Sequence, residues 1–231
     1  MKVRVLSAGA VLIALFASVS MGDGEPSARV AAAGALVQGE HPSSAERIRL
    51  VTAPEGNRAR YRVREQLAGR DFPNDAVGET EAITGTLVFE ADGRVVRDSS
   101  RFVVDLTKLK SDSDRRDGYV QRNTLKTAEF PTAVFVPTRI HGLPAPLPTS
   151  GEVKVRMEGE LTLHGVTRPT VWEATVRVAG GEYAGTATTQ FTFGEFDLAI
   201  PRVASVLSIK DDIRLEFDLR LVRAPNVAAA R

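Results

Sequence analysis

Between residues 58 and 221 the chain keeps returning to a two-residue rhythm. In "VKVRMEGELTL", 153–163, Val153, Val155, Met157, Leu161 and Leu163 alternate with Lys154, Arg156, Glu158, Glu160 and Thr162. Two is the side-chain period of an extended strand, so the segment predicts one dry face and one wet face. "IRLEFDLRL", 213–221, repeats the pattern, with Ile213, Leu215, Phe217, Leu219 and Leu221 against four charged residues. "RARYRVR", 58–64, sets four arginines against Ala59, Tyr61 and Val63, and "ITGTLVF", 83–89, aligns Ile83, Leu87 and Phe89. In "YAGTATTQFTF", 183–193, the aromatics Tyr183, Phe191 and Phe193 share a parity with Gly185, Ala187 and Thr189, which assigns that face inward. There the small residues Gly185 and Ala187 leave room for a neighbouring side chain or for a ligand.

Further strands are expected near 95–104, 133–140 and 170–178, which makes about eight. One segment, 113–127, reads as helical, with Tyr119 and Leu125 on its apolar side and a serine or aspartate as N-cap. Many strands, a single helix and short turns such as "ADG" at 91–93 point to an all-β antiparallel barrel or sandwich. Parallel βαβ units would require many more helices.

Composition narrows the chemistry. Hydrophobic residues form 43% of 231 positions and the formal net charge is +1, so a packed core is available and no nucleic-acid footprint is visible. The absence of cysteine excludes disulfides, thiol nucleophiles and thiolate metal sites. Lys2 and Arg4 followed by an apolar stretch predict a signal peptide over 1–22 and a secreted or periplasmic protein. An uncleaved anchor is the alternative for the uncharged run Val5 to Gly22. A flexible leader is expected over 23–54, a barrel domain over 55–222 and a short tail over 223–231.

Motifs for catalysis are missing. The three histidines, His41, His141 and His164, have no metal-ligand spacing, and "DSDRRDG" fails as a calcium loop because its glycine is misplaced and its twelfth residue is Asn123. No nucleophile elbow, phosphate loop or dinucleotide fingerprint is present. The arginine stripe reads as a wet strand face, with an anionic headgroup site as the alternative. His164 stands in "HGVTRP", where Gly165 can take the positive φ of a tight hairpin turn, and it reads as a surface or turn-bracing residue. No catalytic residue, metal site or cofactor is assigned.

Three ordered segments nevertheless resemble one family. "GELTLHGVTRPTVW" is similar to the most recognisable motif of the YceI family, "LKSDSDRRDGYVQRNTLKTAEFPTAVF" to its helix and the F-P-x-x-x-F strand start that follows, and "TFGEFDLAIPRVASVLSIKDDIRLEFDLRL" to its last loop and strand. The first strand, "ARYRVREQLAG", departs from the H-S-x-V-x-F opening of many members. The resemblance implies an eight-stranded, lipocalin-like antiparallel barrel with a helix near one end, enclosing one elongated apolar tunnel for a polyisoprenoid or similar amphiphile. Its lining is then expected from Phe89, Val155, Met157, Leu161, Trp172, Val176, Ala187, Phe191, Phe193, Leu215, Phe217 and Leu219. The implied role is non-enzymatic lipid binding, with transient membrane contact and an open oligomeric state. A hydrolase or isomerase acting on an apolar substrate, and a ligand-free envelope protein, are the rival readings.

Overall fold

The computed structural model describes residues 47–224. Among these residues the strands are β1 (Ile48–Thr52), β2 (Arg58–Leu67), β3 (Asn74–Thr80), β4 (Ile83–Phe89), β5 (Arg101–Asp105), β6 (Lys110–Ser111), β7 (Thr132–His141), β8 (Gly151–Leu163), β9 (Val166–Ala179), β10 (Glu182–Phe191) and β11 (Val206–Arg223). All pair antiparallel. The ladder runs β1-β4-β5-β7-β8-β9-β10-β11, and β1 pairs again with β11, which closes a ring of eight. The expected barrel is what forms.

The extra strands come from broken ones. β1 and β2 lie in line along β11, Thr52 opposite Leu221 and Arg58 opposite Asp218, with a five-residue excursion between them. Asn57, buried, holds this excursion: its Nδ2 donates to the Ala53 carbonyl at 2.7 Å and its Oδ1 accepts from the Arg220 amide at 2.9 Å. β3 and β4 similarly follow one course, pairing with β2 and β1 respectively.

Sequence and structure differ at both ends of this first hairpin. The expected leader reached residue 54, but Ile48–Thr52 is a paired strand with Leu50 only 2% exposed. The run is too short for alternation to show. β3 was not expected because its inward positions are Ala76, Gly78 and Thr80, with no large apolar side chain to mark them. The Tyr61 ring supplies the missing bulk by lying over Gly78 on the paired strand, where a Cβ would collide with it. Phe102 covers Gly85 in the same way. The signal-peptide expectation and most of the leader and tail fall outside the described residues.

The helical segment is shorter than its sequence suggests. α1 covers Asp114–Tyr119, with the Ser113 side chain accepting from the Arg116 amide, and a π-helical turn, Val120–Thr124, follows. Strand β5 starts at Arg101, after a 3₁₀ turn over Arg97–Ser99. The arginines of β2 form the outer face: Arg60 donates to Glu216 and Asp218, Arg62 to Glu216 at 2.9 Å, and Arg64 to Asp75 at 3.0 Å. Burial pushes the Glu216 carboxyl up, but hydrogen bonds from Arg62 and Arg60 outweigh it and hold the group below its ordinary range.

Candidate ligand-binding interior

Inward positions of the strands converge on two apolar chambers. The larger, of about 440 Å³, is walled by residues such as Val104, Leu161, Leu163, Phe191, Phe193, Leu215 and Phe217. The smaller, of about 80 Å³, is walled by Phe89, Val155, Met157, Val176, Ala187, Leu219 and others. The two share no lining residue. At the level between them, Trp172 stacks on Phe217 with ring centroids 4.8 Å apart and meets Phe135 at 5.6 Å.

Trp172 is 0% exposed, and its indole Nε1 donates to Thr170 Oγ1 at 3.2 Å, so the ring is fixed by packing and by its polar end. The three aromatics act as a septum. The expectation of one continuous tunnel is therefore corrected: the strands carry enough aromatic bulk at mid-barrel to pack across it. Of the expected lining positions, Leu161, Phe191, Phe193, Leu215 and Phe217 face the larger chamber, and Phe89, Val155, Met157, Val176, Ala187 and Leu219 the smaller, while Trp172 stands between. Gly185 offers no free room. A Cβ there would run into the Thr175 carbonyl of β9, so this glycine serves close backbone approach.

The larger chamber has a mouth. Exposed Arg115, in the first turn of α1, and exposed Ser205, in the loop before β11, stand on its edge, together with Leu67 at the end of β2. The Ala68 amide donates to the Ser205 carbonyl at 3.0 Å, which ties the β2–β3 turn to that loop. Phe72 in that turn is 81% exposed, and Leu207, at the start of β11, is 67% exposed. Such large apolar side chains held in water are informative where they cluster.

Sequence reasoning missed a polar group on the dry face. Glu65 shares the parity of Ala59, Tyr61 and Val63 and is 6% exposed. Arg116 of α1 reaches in and donates to it at 3.0 Å, while its other Nη donates to Asp112; Asn74 Nδ2 also donates to Glu65, at 3.3 Å. Burial pushes the Tyr61 hydroxyl up to about 12, against the opposing pull of Arg116, so it stays protonated and available as a donor at neutral pH. The parity of Glu65 was the signal, since a carboxylate on an apolar stripe demands a partner.

His164 braces the turn. With φ of 51° at His164 and 77° at Gly165, and Leu163 paired to Val166, the two residues form a two-residue hairpin loop with both in the left-handed region. The imidazole packs edge-on against Phe130 at 4.7 Å, away from both chambers, and neither nitrogen has a hydrogen-bond partner among the described residues. No group of three histidine, aspartate or glutamate side chains among the described residues is arranged to hold a metal ion.

With this geometry in place, similarity to known proteins can be read. A UPF0312 protein of Vibrio parahaemolyticus is 30% identical over 130 residues, which is 53% of this chain and 65% of that one. A UPF0312 protein of Pseudomonas putida strain W619 is 32% identical over 117 residues, 47% of this chain and 57% of that one. The chain thus spans 65% or less of the length of these curated relatives. Among solved structures, a polyisoprenoid binding domain from Saccharophagus degradans superposes with a TM-score of 0.58 at 14% identity, covering 76% of this chain and 98% of that one. BcnA of Burkholderia cenocepacia gives 0.54 at 16% identity, covering 71% and 95%. At such identities the likeness is one of fold. The family described as YceI-like domain matches residues 54–221, most of the chain, and the protein belongs to that family.

Proposed function

We propose that the protein is a non-enzymatic carrier or store that holds a polyisoprenoid or similar long amphiphile in its barrel. The observation that carries this reading is the 440 Å³ chamber, apolar along its walls and open at one end, inside a closed barrel. Its volume lies within the range of ~300–1,000 Å³ usual for small-molecule sites. The solved fold-mate described as a polyisoprenoid binding domain supports the ligand class. Both described histidines, His141 and His164, lie outside the chambers, and this favours binding over acid–base chemistry on a bound substrate.

The same reading includes exchange with a bilayer. Phe72 and Leu207 project beside the mouth, so dipping the rim into a membrane would bury them and place the cavity opening against the cargo's source. Lys2 and Arg4 ahead of an apolar run support delivery outside the cytoplasm, to the periplasm or beyond.

Mass spectrometry of organic extracts from natively purified protein tests the reading. A co-purifying prenyl chain in near-stoichiometric amount is expected. Protein that is consistently empty, and that also fails to take up added prenyl lipid, would overturn it in favour of a structural role.

A further inference from the structure

The wall of the larger chamber carries a buried oxygen atom with nothing to bond. Thr124, 6% exposed on the π-helical turn, lines the chamber, and its Oγ1 has no hydrogen-bond partner among the described residues. Tyr61, half-buried and leaning on Gly78, lines it too and brings a second hydroxyl to the wall. A hydroxyl held away from water and left unpaired opposes folding, and its presence in a cavity wall invites a ligand atom that completes it. Both groups are neutral and both can donate.

Charge at the same place is already spoken for. Arg116 is engaged by Glu65 and by Asp112, and Glu65 in turn by Asn74. Arg60, which also lines the chamber, is engaged by Glu216 and Asp218. Asp117 is held by the Ser111 amide and hydroxyl and lies 3.7 Å from Lys110. A multiply charged anion placed here would leave water without a free cation to meet it, since each of these charges already has its partner.

Resting on the isoprenoid-binding reading above, we infer that the chamber selects amphiphiles whose head is a neutral oxygen function, an alcohol or a carbonyl, over phosphorylated ones. The Tyr61 and Thr124 hydroxyls donate to that oxygen. Arg115, exposed at the rim, is the cation a phosphorylated head would use instead.

Three probes of equal chain length separate the cases: farnesol, farnesyl diphosphate and the hydrocarbon farnesene, titrated into wild type, Tyr61→Phe, Thr124→Val and Arg115→Ala. Farnesol is expected to bind at least about tenfold more tightly than the diphosphate, and each hydroxyl deletion to weaken farnesol about fivefold while leaving farnesene unchanged. Tyr61→Phe keeps the ring over Gly78, so the fold should persist. Diphosphate binding as tight as farnesol, and lost in Arg115→Ala, overturns the inference while the isoprenoid reading survives. So does farnesene binding as well as farnesol in every variant. If none of the three probes binds, the isoprenoid reading itself falls, and this inference with it.

Discussion

Replacing Phe217 with leucine should lengthen the chain that the barrel accepts. Phe217 forms the septum with Trp172 and Phe135 and also faces the larger chamber. Taking about 30 Å³ for a methylene-sized group, the share of a water molecule in the liquid, the 440 Å³ chamber holds roughly 15 carbons and the 80 Å³ chamber roughly three. While a growing tail is still filling the chamber, each added carbon contributes about 0.8 kcal/mol, near fourfold in affinity. Affinity for a series of prenyl alcohols should therefore climb steeply to about 15 carbons and then level off, because further carbons stay in water. Removing the ring opens the septum and adds the smaller chamber plus the vacated space, moving the plateau by about one isoprene unit.

The substitution also has a cost. Losing the stack on Trp172 removes about 0.5–1.5 kcal/mol, and the change of shape adds up to about 1.5, so roughly 0.5–3 kcal/mol in all. A domain of ordinary stability, about 5–15 kcal/mol, stays folded. Dissociation constants measured by competition with a fluorescent prenyl probe for chains of 10, 15, 20 and 25 carbons give both plateaus. The septum argument fails if wild type continues to gain about fourfold per carbon past 20 carbons, or if the two proteins level off at the same length.

Three further outcomes are expected. Replacing Phe72 and Leu207 together with serine should slow uptake of a prenyl probe from zwitterionic vesicles at least about fivefold while leaving affinity for dispersed farnesol within about twofold; equal uptake rates would remove the rim from the account. Glu216→Gln should destabilise the barrel at neutral pH, and because the native carboxyl titrates below its unfolded value, the gap between wild type and variant should close as pH falls from about 4.5 toward the folded-state value. Urea midpoints taken from pH 3 to 7 read this directly, and a gap independent of pH would contradict it. Amino-terminal sequencing of exported protein should begin near Asp23; an intact Met1 on exported material would refute the cleavage.

How far the sequence revealed this molecule depends on where each strand kept its bulk. β8 and the second half of β11 announce themselves because Val, Met, Leu and Phe fall strictly on alternate positions with charge between them. β3 stays silent because its inward residues are small and the filling volume comes from Tyr61 on a different strand. Periodicity likewise assigns Trp172 and Phe217 to the inner face but cannot say that they meet, since the stack depends on how β9 and β11 are brought across the barrel by β10. The polar end of the chamber was hidden for another reason. Glu65 reads as part of a charged strand until Arg116, about fifty residues later, is seen to reach it.

The ring closes through its last strand. β11 pairs with β10 along ten residues, with β2 between Val206 and Asp218, and with β1 only through Leu50, Val51 and Thr52 opposite Arg223, Val222 and Leu221. Until β11 has been synthesised, the sheet is an open ribbon with two unpaired edges, and each edge is a template for another copy. The β1 pairing joins residues about 170 positions apart, a long loop to close before any contact rewards it, so the barrel should form slowly and late. A chain that must complete its final strand before it can fold remains extended through synthesis, which is the form in which a polypeptide can be threaded across a membrane; the same delay leaves a chain truncated before β11 with an uncapped sheet and a strong tendency to aggregate.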